Sequence, residues 1–370
     1  MGSGGSNMAE QYVFWGGYAG NNIGDEAILW AMSQLIRRLD PAAEQHVLHP
    51  NGVSAAVEAQ YTTWGINVVS GSLPHCLRIL SRARLIVGGG QMVDESTRGW
   101  PIGWSSIFLI ANRLSGIHPL VLCIGAEPLT KAIPRFLVRR AYGLADVITC
   151  RDEESSAVVR STGVNAAKVW TTRDVVFSLD RTQLPQWTTD SSDGQTVAVL
   201  IAYDPNRILE KVSNYTELVG ALRARGFRVE LVAHDLREEY DVHALHDVKS
   251  HYSDDPHVNV AHATTVSDAF GIYSRVDAVI SARMHPLIMG MLAGTLPVAF
   301  GGKAKVKSLL SMSGIPSIAG TDDPLDLVSQ FETILAKRQA ILLQLANTAT
   351  AFRSNVEDAT ARALRQNRSQ

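Results

Sequence analysis

The residues of this chain with the clearest chemical potential form the segment Ser281-Ala282-Arg283-Met284-His285-Pro286. The apolar run Asp277-Ala278-Val279-Ile280 precedes it and predicts a buried strand, and the apolar, small-residue run that follows predicts a helix. In open α/β sheets, ligands bind beyond the carboxyl ends of the strands, so we expect Arg283 and His285 to lie at such a site. A permanent cation beside an imidazole, a group that titrates near neutral pH, predicts chemistry on an anion.

A second group of cations follows the next predicted strand, 297–300. It consists of Lys303, Lys305 and Lys307. Lys305 lies one strand–helix–strand step after His285, and neighbouring strand ends converge, so we expect these two side chains and Arg283 to meet at one site. The alternative is that the lysines form a solvated helix face.

A third candidate cation, Arg151, follows the predicted strand 147–150 and precedes Asp152, a candidate helix N-cap. Arg151 either pairs with a neighbouring carboxylate or offers its planar guanidinium to a carboxylate or phosphate of a ligand.

Two glycine-rich segments also follow predicted strands. The first, Gly16–Glu26, opens a helix predicted over 26–39. Asp25 and Glu26 stand where an N-cap and a first-turn acid would stand, or one of them acts as a base towards a substrate hydroxyl, with Asp25 preferred. The spacing fits neither a Walker A loop nor a dinucleotide-binding fingerprint. The second segment, Gly88-Gly89-Gly90, is either a tight turn or a place where backbone contacts substrate.

Short apolar runs alternate with helical patterns along the chain and lack strict alternation, as parallel strands covered on both faces should. We predict two doubly wound, Rossmann-like α/β domains that face each other across a cleft. Residues 1–7 are interpreted as a cloning remnant. An N-terminal domain over 8–180, on the acceptor side, is followed by a linker over 181–195. A C-terminal domain over 196–324, on the donor side, is followed by a helical segment over 325–370.

Composition excludes several classes of protein. The formal net charge of −2, without a Lys/Arg stripe, argues against nucleic acid as a partner. The scattered cysteines Cys76, Cys123 and Cys150 argue against a disulfide scaffold or a zinc site. His243 and His246 stand at helical spacing without a third ligand, so we predict no metal site. No apolar run is long enough to span a bilayer, and we expect a cytoplasmic protein, with peripheral membrane contact left open.

Four of these segments together resemble the polysaccharide pyruvyl transferases. The motifs are Gly-Tyr-Ala-Gly-Asn-Asn-Ile-Gly-Asp-Glu-Ala-Ile-Leu, Val-Gly-Gly-Gly, Ala145-Asp146 running on to Arg151-Asp152, and Ser-Ala-Arg-Met-His, in that order. The resemblance covers essentially residues 12–316. It implies a fold similar to the B-type glycosyltransferases and transfer of pyruvyl from phosphoenolpyruvate to two hydroxyls of one sugar, in a cell-surface glycan or its precursor. The products are a cyclic pyruvate ketal and phosphate, and no cofactor is needed besides this donor.

The resemblance also implies roles for individual residues. Arg151, Arg283, His285 and Lys305 fall on positions tied to donor binding and catalysis. We assign His285 as the general acid at C3 of the donor and Asp25 as the base at the acceptor. Arg283 and Lys305 act on the phosphate, Arg151 holds the carboxylate or shares the phosphate, and Gly89 and Gly90 offer backbone to the donor.

This chain departs from the family pattern at Gly302, where an aromatic residue is common, and at Lys303, where an acidic residue is common. Trp100, Trp104 and Tyr203 either stack on sugar or pack in a core. The acceptor is expected to be a sugar or glycan, which includes lipid-linked ones. Three alternatives stay open: a sugar-nucleotide-dependent glycosyltransferase of the same fold, a family member acting on a small-molecule acceptor, and a non-catalytic anion-binding protein.

Overall fold

The computed structural model describes residues 10–95, 99–188, 195–204, 211–301, 304–318 and 324–366. The chain divides into two compact units. Unit 1 comprises the described parts of Met1–Gly20, Ile28–Leu179 and Phe352–Gln370, and unit 2 those of Asn21–Ala27 and Asp180–Ala351. The short segment Asn21–Ala27, which carries Asp25, therefore belongs with unit 2 although most of unit 1 follows it in the chain.

Unit 1 is built on a parallel sheet in the order β3-β2-β1-β4-β6-β7-β8, with β5 paired to β6. Its strands are β1 (Gln11–Trp15), β2 (Glu44–Leu48), β3 (Ile66–Val69), β4 (Arg84–Gly88), β5 (Gln91–Val93), β6 (Leu120–Ala126), β7 (Ile148–Cys150) and β8 (Val169–Thr171). Every residue of β4 and β7 is buried, as expected for strands covered on both faces.

The helices of unit 1 connect these strands. They are α1 (Ile23–Leu39, whose first turn belongs to unit 2), α2 (Ala55–Thr63), α3 (Leu73–Leu80), α4 (Ile102–Leu114), α5 (Ala132–Ala141) and α6 (Glu153–Ser161). As predicted, Asp152 caps α6: its side chain accepts the backbone N–H of Ser155 at 2.7 Å. Cys123 and Cys150 are buried free thiols.

Unit 2 carries a second parallel sheet, in the order β11-β10-β9-β12-β13-β14. Its strands are β9 (Thr196–Ile201), β10 (Arg228–Ala233), β11 (Val258–Val260), β12 (Ala278–Ser281), β13 (Leu296–Phe300) and β14 (Ser317–Ile318). The chain runs outward from β9 through β10 to β11, then returns to the other side of β9 as β12. The neighbours β9 and β12 therefore flank a topological switch point, where doubly wound sheets bind ligands.

The helices of unit 2 cover both faces of this sheet. They are α7 (Val212–Ala224), α8 (His243–Ser250), α9 (Val266–Tyr273), α10 (Met284–Ala293), α11 (Ala304–Ser313), α12 (Pro324–Ala336) and α13 (Arg338–Arg365, whose end from Phe352 belongs to unit 1). A capping box of Thr265 and Asp268 fixes the start of α9.

The prediction of two parallel-sheet α/β domains is confirmed. Sequence reasoning placed the helix after the first glycine-rich segment at residue 26, whereas α1 begins at Ile23, because Asn22 accepts the backbone N–H of Gly24 at 2.9 Å and takes the capping role expected of Asp25. The helical C-terminal segment consists of two helices, which meet at Lys337. Within the predicted linker, Trp187 and Thr188 donate backbone bonds to Ala293 and Ser274.

Candidate functional site in unit 2

Arg283 lies between the end of β12 and the first turn of α10. Its backbone is extended (φ −100°, ψ 146°), and its N–H donates to the Oγ of Ser281 at 2.9 Å. This turn directs the guanidinium across the switch point, where Nη2 donates to the backbone carbonyl of Tyr203, just beyond β9, at 3.3 Å. The cation therefore sits where the topology favours a ligand.

The partner of Arg283 is Asp241, whose side chain is fully buried. The Asp241 carboxyl accepts the Arg283 Nη2 and the backbone N–H groups of Tyr203 (2.8 Å), Asp235 (2.9 Å) and His234 (3.3 Å). Burial raises the pKa of Asp241, but only an ionised carboxylate can accept all of these donors, so they hold it ionised at neutral pH. In return, the carboxylate raises the pKa of Arg283 against the effect of burial.

The end of β10 supplies two further buried polar residues. Asp235 pairs with Arg237, whose Nε lies 2.8 Å from Oδ1. His234 is 1% exposed, and its Nε2 bonds to the hydroxyl of Tyr273. Burial, reinforced by the nearby cation of Arg283, lowers the pKa of His234 well below the usual value, so this imidazole is neutral. His234 is therefore a packing and hydrogen-bonding group rather than a source of charge.

His285 lies in the first turn of α10 and packs against the first turn of α1. A methyl group added to Gly24 would lie 2.3 Å from the His285 Nδ1 and 2.9 Å from its Cβ, so only glycine leaves room for the ring. The segment that carries Gly24 is tied to the end of β10, because Ile23 donates to the His234 carbonyl (3.0 Å) and Leu236 donates to the Asn21 carbonyl (2.8 Å). The end of the first glycine-rich segment therefore lies next to His285.

The Asp25 carboxyl interacts electrostatically with three of the other candidate residues. Burial raises the pKa of its carboxyl, and His285, Lys305 and Arg283 are the nearby groups that oppose this rise. The structure therefore gathers these four residues in unit 2, with Lys305 on the exposed first turn of α11. A buried carboxyl with a raised pKa beside cationic side chains is a candidate general base. Gly302 and Lys303, the departures from the family pattern, lie outside the described residues.

Arg151 lies in unit 1, where two carboxylates surround it. Its Nε is 3.5 Å from Asp152, and its Nη1 is 3.7 Å from Asp174. The guanidinium lies over Gly125, where an added methyl group would come within 2.6 Å of Nη2. The structure therefore agrees with the alternative in which Arg151 pairs with neighbouring carboxylates. Its role in donor binding stays a prediction.

The second glycine-rich segment also lies in unit 1 and is buried. Gly89 and Gly90 both adopt positive φ (66° and 65°), and a methyl group on Gly89 would lie 1.8 Å from Ile28. Conformation and close packing therefore require glycine here. Contact between this backbone and a donor stays a prediction.

A cavity of about 610 Å³ opens in unit 1 beyond the ends of β1, β2 and β3. Its walls are aromatic, apolar and small residues, with one histidine and one asparagine: Trp15, Gly16, Gly17, Tyr18, Ala19, His49, Pro50, Asn51, Gly52, Gly71, Leu73, Trp100 and Trp104. Burial lowers the pKa of His49 to about 4, so the described residues of this lining carry no formal charge at neutral pH. Trp15 is fixed by a bond to Ser105 (3.0 Å) and by its edge contact with Phe108.

Comparison with known proteins shows to which family this chain belongs. The family model described as polysaccharide pyruvyl transferase matches residues 22–303. The chain belongs to the polysaccharide pyruvyl transferase family. The match spans the Asp25 segment, Arg151, Arg283 and His285, whereas Lys305 lies two residues beyond its end. A comparison with curated proteins finds no match.

The solved structures similar to this transferase share its fold at low identity. Anabaena Alr3699/HepE in complex with UDP-glucose is 14% identical, with a TM-score of 0.64 over 97% of this chain and all of that one. A glycosyltransferase from Rickettsia africae is 12% identical (TM-score 0.63, 98% and 97% covered). UDP-GlcNAc 2-epimerase from Neisseria meningitidis, bound to UDP-GlcNAc, is 13% identical (TM-score 0.63, 97% and 100% covered). These likenesses establish the two-unit α/β fold of the B-type glycosyltransferases.

Sequence reasoning missed Asp241 and, for Tyr203, considered only stacking on sugar or packing in a core, not its backbone contacts with Arg283 and Asp241. His234-Asp235 directly follows β10, so polar residues at a strand end did offer a signal there. Asp241 gave none, because it lies beyond the strand in a helical turn among other acidic residues. No cluster of three or more His, Cys, Asp or Glu side chains suited to a metal occurs within the described ranges of the transferase.

Proposed function

We propose that this transferase moves the pyruvyl group of phosphoenolpyruvate onto two hydroxyls of one sugar, forms a cyclic ketal and releases phosphate. The observation that carries the proposal is the gathering of Arg283, His285 and Lys305 around the Asp25 carboxyl beside the switch point of unit 2. Phosphoenolpyruvate carries a phosphate and a carboxylate, so it requires several cations at one site, and its chemistry also requires a proton donor and a base.

The first half of the reaction activates the donor. Protonation of C3 converts the methylene to a methyl group and makes C2 electrophilic, and we assign His285 to this step because imidazole exchanges protons near neutral pH. A sugar hydroxyl then attacks C2 and gives up its proton, which we assign to Asp25. The raised pKa of that carboxyl supports the assignment.

The second half releases phosphate. The C2–O bond to the phosphate breaks, and a second hydroxyl of the same sugar bonds to C2 and gives its proton to the now neutral His285, which closes the ketal and restores the acid. The proton on Asp25 leaves with the released phosphate. Arg283 and Lys305 stabilise the departing phosphate as fixed positive charges. Asp241 holds the guanidinium in place, since its buried carboxylate bonds to the Arg283 Nη2.

Arg151 keeps the assignment that the family resemblance gives it, the donor carboxylate or a share of the phosphate. The Arg151 side chain is 4% exposed and lies beside two carboxylates, whereas the Arg283 side chain is 21% exposed and has one bonded carboxylate partner among the described residues, so we give Arg151 the smaller share of donor binding. Arg151→Lys should therefore raise the donor KM less than Arg283→Lys does.

We assign the acceptor sugar to the cavity of unit 1. Uncharged aromatic walls suit the apolar faces of a sugar ring, and Asn51 offers hydrogen bonds at its edge. Such a site favours a neutral sugar over an anionic one. We propose that this sugar belongs to a cell-surface glycan or its precursor, and the family description, which names a polysaccharide, supports this.

The proposal is tested with His285→Ala and a matched control, His262→Ala, whose side chain is exposed on the same unit. Phosphate release and ketal formation are followed with phosphoenolpyruvate and a panel of glycan acceptors. Loss of general acid catalysis should lower turnover by about 10²–10⁴-fold in the first variant and leave the control unchanged. Near-full ketal formation by His285→Ala would remove this residue from the mechanism.

A binding experiment separates the donor classes. The solved structures with UDP or UDP-sugars have the same fold, so a sugar-nucleotide donor is the competing reading. Thermal stabilisation by phosphoenolpyruvate but not by UDP-sugars supports pyruvyl transfer, and the reverse pattern supports glycosyl transfer.

A further inference from the structure

The exposed apolar residues of this protein are concentrated on one side of unit 1. Among the described residues, eight large apolar side chains are exposed, and all but Leu343 lie between residues 73 and 136. They are Leu73, Trp100, Ile107, Ile110, Leu114, Ile133 and Phe136. Isolated exposed apolar residues are ordinary, but a group drawn from consecutive elements is typical of an interaction surface.

Six of these seven residues lie on helices α3, α4 and α5, and Trp100 lies just before α4. Their helices α3, α4 and α5 bury their inner sides in one hydrophobic cluster against the sheet, through Cys76, Phe108 and Val138 among others. The opposite sides of the same helices therefore form one outer layer. On α4, Ile107, Ile110 and Leu114 recur at helical spacing, and Leu114 is 83% exposed. We call this layer the α3–α5 face.

The α3–α5 face is also basic. The three helices contain Arg78, Arg113, Arg135, Arg139 and Arg140 and no acidic residue, whereas the whole chain has a net charge of −2. Arg139 and Arg140 are exposed beside Phe136, and the Arg140 guanidinium lies 5.7 Å from the centre of the Phe136 ring. The nearby carboxylate of Glu95 is engaged at the start of α5 by the backbone N–H and hydroxyl of Thr130 and the backbone N–H of Lys131.

We propose that the α3–α5 face docks on an anionic lipid bilayer. Apolar side chains interspersed with arginines are the composition of interfacial membrane-binding surfaces, since the apolar groups enter the headgroup boundary and the cations bind anionic lipids. No described helix is long and apolar enough to cross a membrane, so the contact is peripheral.

Charge distinguishes this occupant from a second copy of the chain. A symmetric dimer through the α3–α5 face would bring the same arginines of both copies together, and these helices offer no carboxylate to pair with them. An anionic bilayer accommodates both the exposed apolar side chains and the arginines of this face. Leu73, at the start of α3, belongs to this face and also lines the cavity, so the docked protein holds this edge of the cavity next to the membrane. The docking itself does not depend on the proposed reaction.

The test is co-sedimentation of the full chain with vesicles of phosphatidylcholine alone and of phosphatidylcholine with phosphatidylglycerol. We expect binding to the anionic vesicles only, weakened by salt. Each arginine near an anionic surface changes partitioning about fivefold, so Arg139→Glu/Arg140→Glu should weaken binding by roughly 25-fold or more. Ile133→Ser/Phe136→Ser should weaken it on the order of tenfold.

Matched controls come from unit 2. Lys337→Glu reverses an exposed charge, and Leu343→Ser removes the exposed large apolar residue that, among the described ones, lies away from unit 1. Both should bind vesicles as the wild type does, and all variants should keep its melting temperature because the altered side chains are exposed. Equal binding by face variants and controls would overturn the proposal. So would a dimer in size-exclusion chromatography that the face variants abolish while vesicles bind nothing.

Discussion

Replacing Asp241 by asparagine tests how the site holds its principal cation. The Asp241 carboxylate accepts Arg283 and the Tyr203 N–H mainly through one oxygen and two further backbone N–H groups through the other. Asparagine has one acceptor oxygen and one donor nitrogen, so in either orientation one pair of donors faces an NH2 group. The variant therefore loses two hydrogen bonds and the charge opposite Arg283.

The size of the loss follows from burial. Removing one partner of a buried ion pair costs about 3–5 kcal/mol, which already includes hydrogen bonds made to the charge. The Arg283 side chain is 21% exposed while that of Asp241 is fully buried, so water offsets part of the cost. We therefore expect Asp241→Asn to lower the free energy of unfolding of unit 2 by about 3 kcal/mol. Asp254→Asn, at an exposed position of the same unit, should change it by less than about 0.5 kcal/mol.

The assay must report on unit 2 by itself. Trp187 is the one tryptophan of the sequence that falls in this unit, and it packs under the guanidinium of Arg338 at 3.6 Å. Fluorotryptophan labelling gives each tryptophan its own ¹⁹F resonance, and a Trp187→Phe variant assigns the one needed. Urea unfolding followed on that resonance yields the required free energies. Equal stability of Asp241→Asn and Asp254→Asn would refute the proposed anchoring of Arg283.

Three further predictions concern the two candidate sites. Burial raises the pKa of Asp25 in the folded state, so its ionisation lowers the free energy of unfolding at pH values above the pKa of the unfolded chain. Asp25→Asn should therefore be as stable as the wild type in urea unfolding below about pH 4 and more stable at pH 7. The same variant should lose activity. Gly24→Ala should displace His285 and lower turnover at least about tenfold, whereas Gly271→Ala, with open space around it, should not. Trp104→Ala should raise the acceptor KM roughly tenfold in steady-state kinetics and leave donor affinity unchanged; an unchanged acceptor KM would place the acceptor elsewhere.

The sequence predicts those features that depend on local pattern. The strand ending at Ser281 and the following helix were predictable because apolar runs and their ends are local signals. The association of Arg283 and His285 with a strand end follows from the same signals, since parallel strands place their carboxyl ends at one edge. Asp152 as a helix cap is likewise local.

Other features depend on contacts between distant segments and leave no local pattern. Asn21–Ala27 joins unit 2 because it forms backbone bonds with residues 234–236. Asp241 approaches Arg283 because a turn after β10 folds it back under the switch point. The need for glycine at position 24 arises from the His285 ring, far along the chain. Such pairings are set by tertiary packing, which one sequence does not reveal.

The central claim, that phosphoenolpyruvate is the donor and His285 protonates its C3, is tested most directly by running the reaction in D2O with ¹³C-labelled phosphoenolpyruvate. Ketal formation on a glycan acceptor should release one phosphate for each ketal, and the new methyl group should carry a single deuterium taken from solvent. His285→Ala should form this product far more slowly. Transfer of a sugar from a UDP-sugar, with no labelled carbon in the product and no phosphate released from phosphoenolpyruvate, would contradict the account.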